Sequence, residues 1–126
     1  VDDGAVRALS AGKSLLPGLE GTRHTDAHVF IEWNSSGDGF RKAKNIDFAT
    51  DEEIERAAGA EIRAVVSPDG WKLCLSDHDR SQLFNLSDDP GETVNLFDSG
   101  RHGDIIGRLT GRIHQWQESV GDTVVV

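Results

Sequence analysis

From Glu61 to Ser67 apolar and polar residues alternate, and the alternation resumes from Trp71 to Ser76. A period of two is the signature of a strand with one buried face. In the first segment Ile62, Ala64 and Val66 share a side and Glu61 and Arg63 take the other. In the second, Trp71, Leu73 and Leu75 share a side, with Cys74 facing away from them. Pro68-Asp69-Gly70 lies between. Proline presets φ, aspartate tolerates the next position and glycine accepts φ > 0, so the pair reads as a hairpin. A bend over Asp77 to Arg80 leads to a third strand, Gln82 to Leu86. His28 to Trp33, rich in β-branched and aromatic residues, is the natural fourth strand beside this meander.

Two segments follow the helical period instead. Thr50 with Glu53 three positions on forms a capping box, and Asp51, Glu52 and Glu53 suit the positive end of the helix dipole. A short helix is predicted from there to about Ala58, with Gly59 ending it. From Asp104 to about Ser119, Ile105, Leu109, Ile113 and Trp116 recur at spacings of four, four and three. That stripe predicts an amphipathic helix docked by Trp116 on a sheet face made by Ile62, Val66, Leu73 and Leu75. Gln117, the next residue, falls outside the stripe and is expected to be silent on truncation. The fold class expected is α+β: a small antiparallel sheet of about four strands packed against a C-terminal amphipathic helix. Residues 1–27 read as a connector, cut by Gly4, Gly12, Gly18 and Gly21, with one helical turn around Pro17. Residues 28–126 form the folded unit.

Composition narrows the partners. The chain has 126 residues, enough for one core, and 37% are hydrophobic. Its formal net charge is −9, from 22 acidic and 13 basic residues, which disfavours phosphate-rich nucleic acid and anionic membranes. No apolar run reaches the roughly 20 residues of a spanning helix, and Val1-Asp2-Asp3-Gly4 has no signal-peptide character. A single cysteine, Cys74, excludes an intrachain disulfide and a thiolate-rich zinc site.

Candidate chemistry is sparse. Serine, histidine and aspartate are present without a Gly-x-Ser-x-Gly elbow. Asp77, Asp79, Asp88, Asp89 and Glu92 lack the spacing of a calcium loop, and Asp88-Asp89-Pro90-Gly91 reads as a turn. His24, His28, His78, His102 and His114 show no paired ligand spacing. Gly12-Lys13-Ser14 lacks the upstream glycine of a phosphate loop. Cys74, between two leucines, is expected to be structural. The residues on their own assign no catalytic, cofactor-binding or metal-binding position.

Three segments carry a resemblance. Glu61 to Leu73, reading EIRAVVSPDGWKL, resembles a sulfatase hairpin of the form R-x-V, turn, D-G-x-K-L. Gln82 to Leu96, reading QLFNLSDDPGETVNL, resembles that family's E-L-Y-D-L, D-P-x-E, N-L stretch. Ser14 to Gly21 resembles the segment that closes the catalytic domain. Departures are Ala11 for aspartate, Gln82 for glutamate, Phe84 for tyrosine and Asn85 for aspartate, and the stretch 35–60 matches nothing in the pattern. The chain thus resembles the C-terminal subdomain of a type I, formylglycine-dependent sulfatase or arylsulfatase, or of a related phosphonate monoester hydrolase. That resemblance implies a parent hydrolase acting on sulfuric esters with formylglycine and calcium. Both belong to a catalytic domain that would be this chain's partner. The nucleophile motif C/S-x-P-S-R is absent: Cys74 is followed by Leu75-Ser76-Asp77. The chain alone is therefore expected to be inactive and to have no cofactor. Without the partner, Leu15, Leu16 and Leu19 are expected to form an apolar patch that favours self-association. The alternative reading is a stand-alone, non-catalytic interaction module.

Overall fold

The computed structural model describes residues 27–35 and 49–126. The chain order is strand β1 (Val29–Trp33), helix α1 (Asp51–Gly59), strands β2 (Ile62–Val66), β3 (Trp71–Ser76) and β4 (Gln82–Asn85), a 3-10 turn at Phe97–Ser99, and helix α2 (Gly103–Val120). The four strands form one antiparallel sheet in the order β1-β2-β3-β4. This is the α+β arrangement expected from the alternation and the terminal stripe.

Local chemistry explains the joints. In the β2–β3 hairpin the Gly70 amide donates to the Ser67 carbonyl at 3.0 Å and the Ser67 amide to the Trp71 carbonyl at 2.8 Å. Gly70 has φ +83, the left-handed residue that a three-residue hairpin loop requires. At α1 the capping box is complete. The Glu53 amide donates to Thr50 Oγ1 at 3.2 Å and the Thr50 amide to Glu53 Oε2 at 2.8 Å. Gly59 is the last helical residue and not a left-handed cap, because the chain leaves through Ala60 in an extended conformation.

Register decides which residues form the core. Val65 lies opposite Leu73 and Leu73 opposite Leu83, and residues directly opposed share a face. Those three, with Leu75, Leu109 and Ile113, make the buried core, and Phe30, Trp71, Leu96, Phe97, Ile105 and Ile106 pack around it. The face toward α2 is therefore Phe30, Arg63, Val65, Leu73, Leu75 and Leu83. This corrects the expected docking face. Leu73 and Leu75 belong to it, whereas Ile62 and Val66, opposite Ser76 and Lys72, point to the other side. Trp116 is half-buried, stacked on Phe30 with centroids 5.3 Å apart and planes 5° from parallel. The inward stripe of α2 is Leu109, Ile113 and Gln117, so Gln117 is a buried anchor and not a bystander.

The Leu96 amide donates to the Leu83 carbonyl at 2.8 Å, drawing the segment after Asp88-Asp89-Pro90-Gly91 back under the sheet. The connector, residues 1–27, lies outside the described residues except for Ala27. So do its helical turn around Pro17 and the patch Leu15, Leu16 and Leu19.

Candidate functional site

Among the described residues, the buried polar side chains Arg63 and Gln117 meet beside a cleft where the end of α2 reaches the sheet. Arg63 is inward-facing on β2 and only 2% exposed. Its Nε donates to Asp122 Oδ2 at 2.6 Å and its Nη2 to Asp122 Oδ1 at 3.0 Å. Nη1 donates to the carbonyls of Ile62 and Trp33 at 3.0 and 3.3 Å. The guanidinium is thus shared by β1, β2 and the C-terminal tail. The tail reaches it because Gly121, at φ +74, turns the chain out of α2, and the Asp122 amide donates back to the Gln117 carbonyl at 2.9 Å. Gln117 Nε2 then donates to Asp122 Oδ2 at 2.9 Å and to the Val124 carbonyl at 2.7 Å.

The bonds from Arg63 above all hold the Asp122 carboxyl far below the usual carboxylate range; burial opposes them, and the bonds from Gln117 and the Val124 amide add to the lowering. The same pair raises the pKa of Arg63. Beside it lies an open cleft of about 520 Å³, bounded by Glu32, Asn34, Trp116 and Val120 as well as the ion pair itself. Charge and hydrogen-bonding capacity here are spent on closing the fold. Alternation placed Arg63 among the outward residues of its strand, and its partner lies 59 positions away.

The carboxylates that could suggest calcium are dispersed into local bonds. Asp77 accepts from the Glu61 amide at 2.8 Å. Asp88 accepts from Asn85 Nδ2 at 2.7 Å. Asp89 caps its own loop, accepting from the amides of Val94 and Thr93 at 2.9 and 2.7 Å, and the Val94 bond above all lowers its pKa. Glu92 pairs with Lys72 at 2.6 Å. Asp79 joins the bend through its amide, which donates to Ser76 Oγ at 3.1 Å. Among the described residues no three histidine, cysteine, aspartate or glutamate side chains converge on a common point. Cys74 faces away from Leu73 and Leu75, and burial pushes its thiol pKa up, the direction that suppresses a reactive thiolate.

The histidines are likewise separate. His28 lies alongside Phe30, His102 is tilted over Trp71 with centroids 5.2 Å apart, and His78 is 3.4 Å from Asp77. His114 is exposed on α2, and His24 and Lys13 lie outside the described residues. Desolvation lowers the pKa of His28, and its buried Nε2 has no hydrogen-bond partner.

The other conspicuous surface is the face of the sheet away from α2. Val29, Ile31 and Trp33 are 56%, 47% and 62% exposed there. They continue the row of Val66, Ala64 and Ile62 on the neighbouring strand. The β-branched and aromatic residues of His28–Trp33 predict a strand, and its exposed side is a finding of the structure. The signal was the alternation of Val29, Ile31 and Trp33 with Phe30 and Glu32.

No protein-family model matches the chain, and no curated protein does. A solved 2-O GAG sulfatase shares the fold, with a TM-score of 0.61 and 22% sequence identity. The match covers 89% of this chain and 21% of that one, so the chain spans about a fifth of the sulfatase it resembles. The four-stranded sheet with its terminal helix is therefore an architecture found within a sulfatase. No helix among the described residues is long and apolar enough to cross a membrane.

Proposed function

We propose that this chain is the C-terminal portion of a sulfatase, a sulfuric ester hydrolase, in which it packs on the catalytic domain and shapes the rim of the substrate cleft. The observation that carries the reading is the shared fold over 89% of the chain with part of a 2-O GAG sulfatase. The Leu83 to Leu96 stretch supports it independently, because the residues that carry the sequence resemblance are those that turn the chain under the sheet. Leu83 is fully buried, Asp89 caps the loop, and Leu96 returns to bond Leu83.

Formylglycine and calcium, which the resemblance attaches to the parent protein, do not fit the residues described. Cys74 lacks the x-Pro-Ser-Arg context, and Asp77, Asp88, Asp89 and Glu92 are committed to separate local bonds. We assign both to the catalytic domain, and no catalytic step to this chain. The test is the reading frame upstream of Val1. A C/S-x-P-S-R motif in frame, with sulfate-ester hydrolysis by the longer polypeptide and none by residues 1–126 alone, is the expected result. Reproducible turnover of an aryl sulfate by the 126-residue chain, or an upstream frame without the motif, would sink the reading. The latter result would favour the interaction module, for which the exposed apolar edge of β1 is the supporting observation.

A further inference from the structure

The two faces of the sheet are built differently. The face toward α2 is closed by Leu109 and Ile113, both fully buried. On the opposite face Ala64 of β2 and Phe84 of β4 are buried, whereas Val29, Ile31 and Trp33 of β1 are 56%, 47% and 62% exposed. Among the described strand residues the single charged position on that face is Lys72, which is neutralised by Glu92 at 2.6 Å. In a chain with a formal net charge of −9 and 28% charged residues, a sheet face with no unpaired charge is not an ordinary solvated surface. Its exposure is concentrated on β1, which is also an edge strand.

We infer that the open face at β1, formed by Val29, Ile31 and Trp33, is the seat of the catalytic domain, with Trp33 as its aromatic anchor. The inference rests on the sulfatase reading above. The occupant follows from proportion and chemistry. The solved sulfatase with this fold is matched over only 21% of its length, so the greater part of such a polypeptide lies outside the module and must meet it somewhere. Contacts between domains of one chain typically cover about 600–1,500 Å². Such a surface needs an apolar centre, and large aromatics carry much of the energy of such centres. An uncharged apolar row suits a covalently attached neighbour that never has to leave it. It does not suit nucleic acid, which demands a positive surface.

The experiment compares Ile31→Glu, Trp33→Glu and a control, Val125→Glu, whose wild-type side chain is 86% exposed on the tail. Each is made both in the 126-residue chain and in the longer polypeptide that carries it. In the 126-residue chain all three are expected to melt at the wild-type temperature, because the replaced side chains face solvent. In the longer polypeptide, wild type and the control are expected to unfold in one transition. Ile31→Glu and Trp33→Glu are expected to split it in two, and amide exchange across residues 29–33 should accelerate by about tenfold or more. Destabilisation of the 126-residue chain by the β1 variants would show the face to be covered internally and overturn the inference. So would a dimer of the longer polypeptide that these variants dissociate, which would assign the face to a second copy. A longer polypeptide that hydrolyses sulfate esters and shows unchanged unfolding and exchange in the β1 variants overturns the inference alone. An upstream frame with no nucleophile motif removes the sulfatase reading and the inference together.

Discussion

Arg63 and Asp122 show how one residue's role can invert between sequence and structure. An arginine in an alternating strand belongs outward unless a partner compensates the cost of burial. Asp122 supplies both carboxylate oxygens, and the carbonyls of Ile62 and Trp33 take further donors. Removing one partner from such a pair leaves a buried charge exposed to no solvent and typically costs about 3–5 kcal/mol. Asp122→Ala is therefore expected to lower stability by that order in urea titration. Arg63→Met combined with Asp122→Leu should recover much of the loss, since an apolar pair removes the uncompensated charge.

The pair also sets an acid limit. Asp122 has a folded pKa depressed well below an unfolded value near 3.9. Its contribution is full above the unfolded value and is lost as pH falls below it toward the folded value. Melting temperature should thus decline from about pH 4 downward, and the decline should be shallower in Asp122→Asn. An identical acid limb in the two proteins would contradict the assignment. Gln117 belongs to the same network. Gln117→Ala leaves the Val124 carbonyl without its donor and should cost roughly 1–3 kcal/mol, while exposed Glu118→Ala should stay within about 0.5 kcal/mol.

At the scale of elements, the β2–β3 hairpin is specified locally and then locked by its neighbour. Gly70 combines φ +83 with a close approach: a Cβ there would sit 2.6 Å from Ser87 Oγ. The Leu86 amide donates to the Gly70 carbonyl at 2.8 Å, which ties the turn to the end of β4. Gly70→Ala is expected to destabilise by more than about 1 kcal/mol. Ser87→Ala in the same chain should relieve the steric part and leave the backbone part, so the double variant should fall between Gly70→Ala and wild type. Full recovery would show that the left-handed backbone contributes nothing at this position.

Among the described residues one helix closes one face of one sheet, so the stability of this unit is concentrated in few side chains. Leu109 and Ile113 are fully buried against Val65, Leu73 and Leu83. Leu109→Ala should cost about 2–5 kcal/mol, a large part of the ~5–15 kcal/mol available to a domain. A loss below about 1 kcal/mol in urea titration would mean that α2 does not close the core.

The sequence by itself determined the elements and their order, because each rests on short-range chemistry. Alternation marks the strands, Pro68-Asp69-Gly70 marks the hairpin, Thr50 and Glu53 mark the start of α1, and the apolar stripe marks α2. The resemblance carried by Gln82 to Leu96 was equally legible, since it is a contiguous run. Which face of β2 meets the helix was decided only by tertiary structure. Ile62, Ala64 and Val66 look more apolar than Arg63 and Val65, and the choice depends on register with Leu73 and Leu75 and on Asp122, 59 residues from Arg63. The same holds for Gln117, whose worth comes from the turn at Gly121 that brings Asp122 and Val124 back to it. Periodicity records how residues are spaced along one element. It holds no information about a partner that only folding brings within hydrogen-bonding distance.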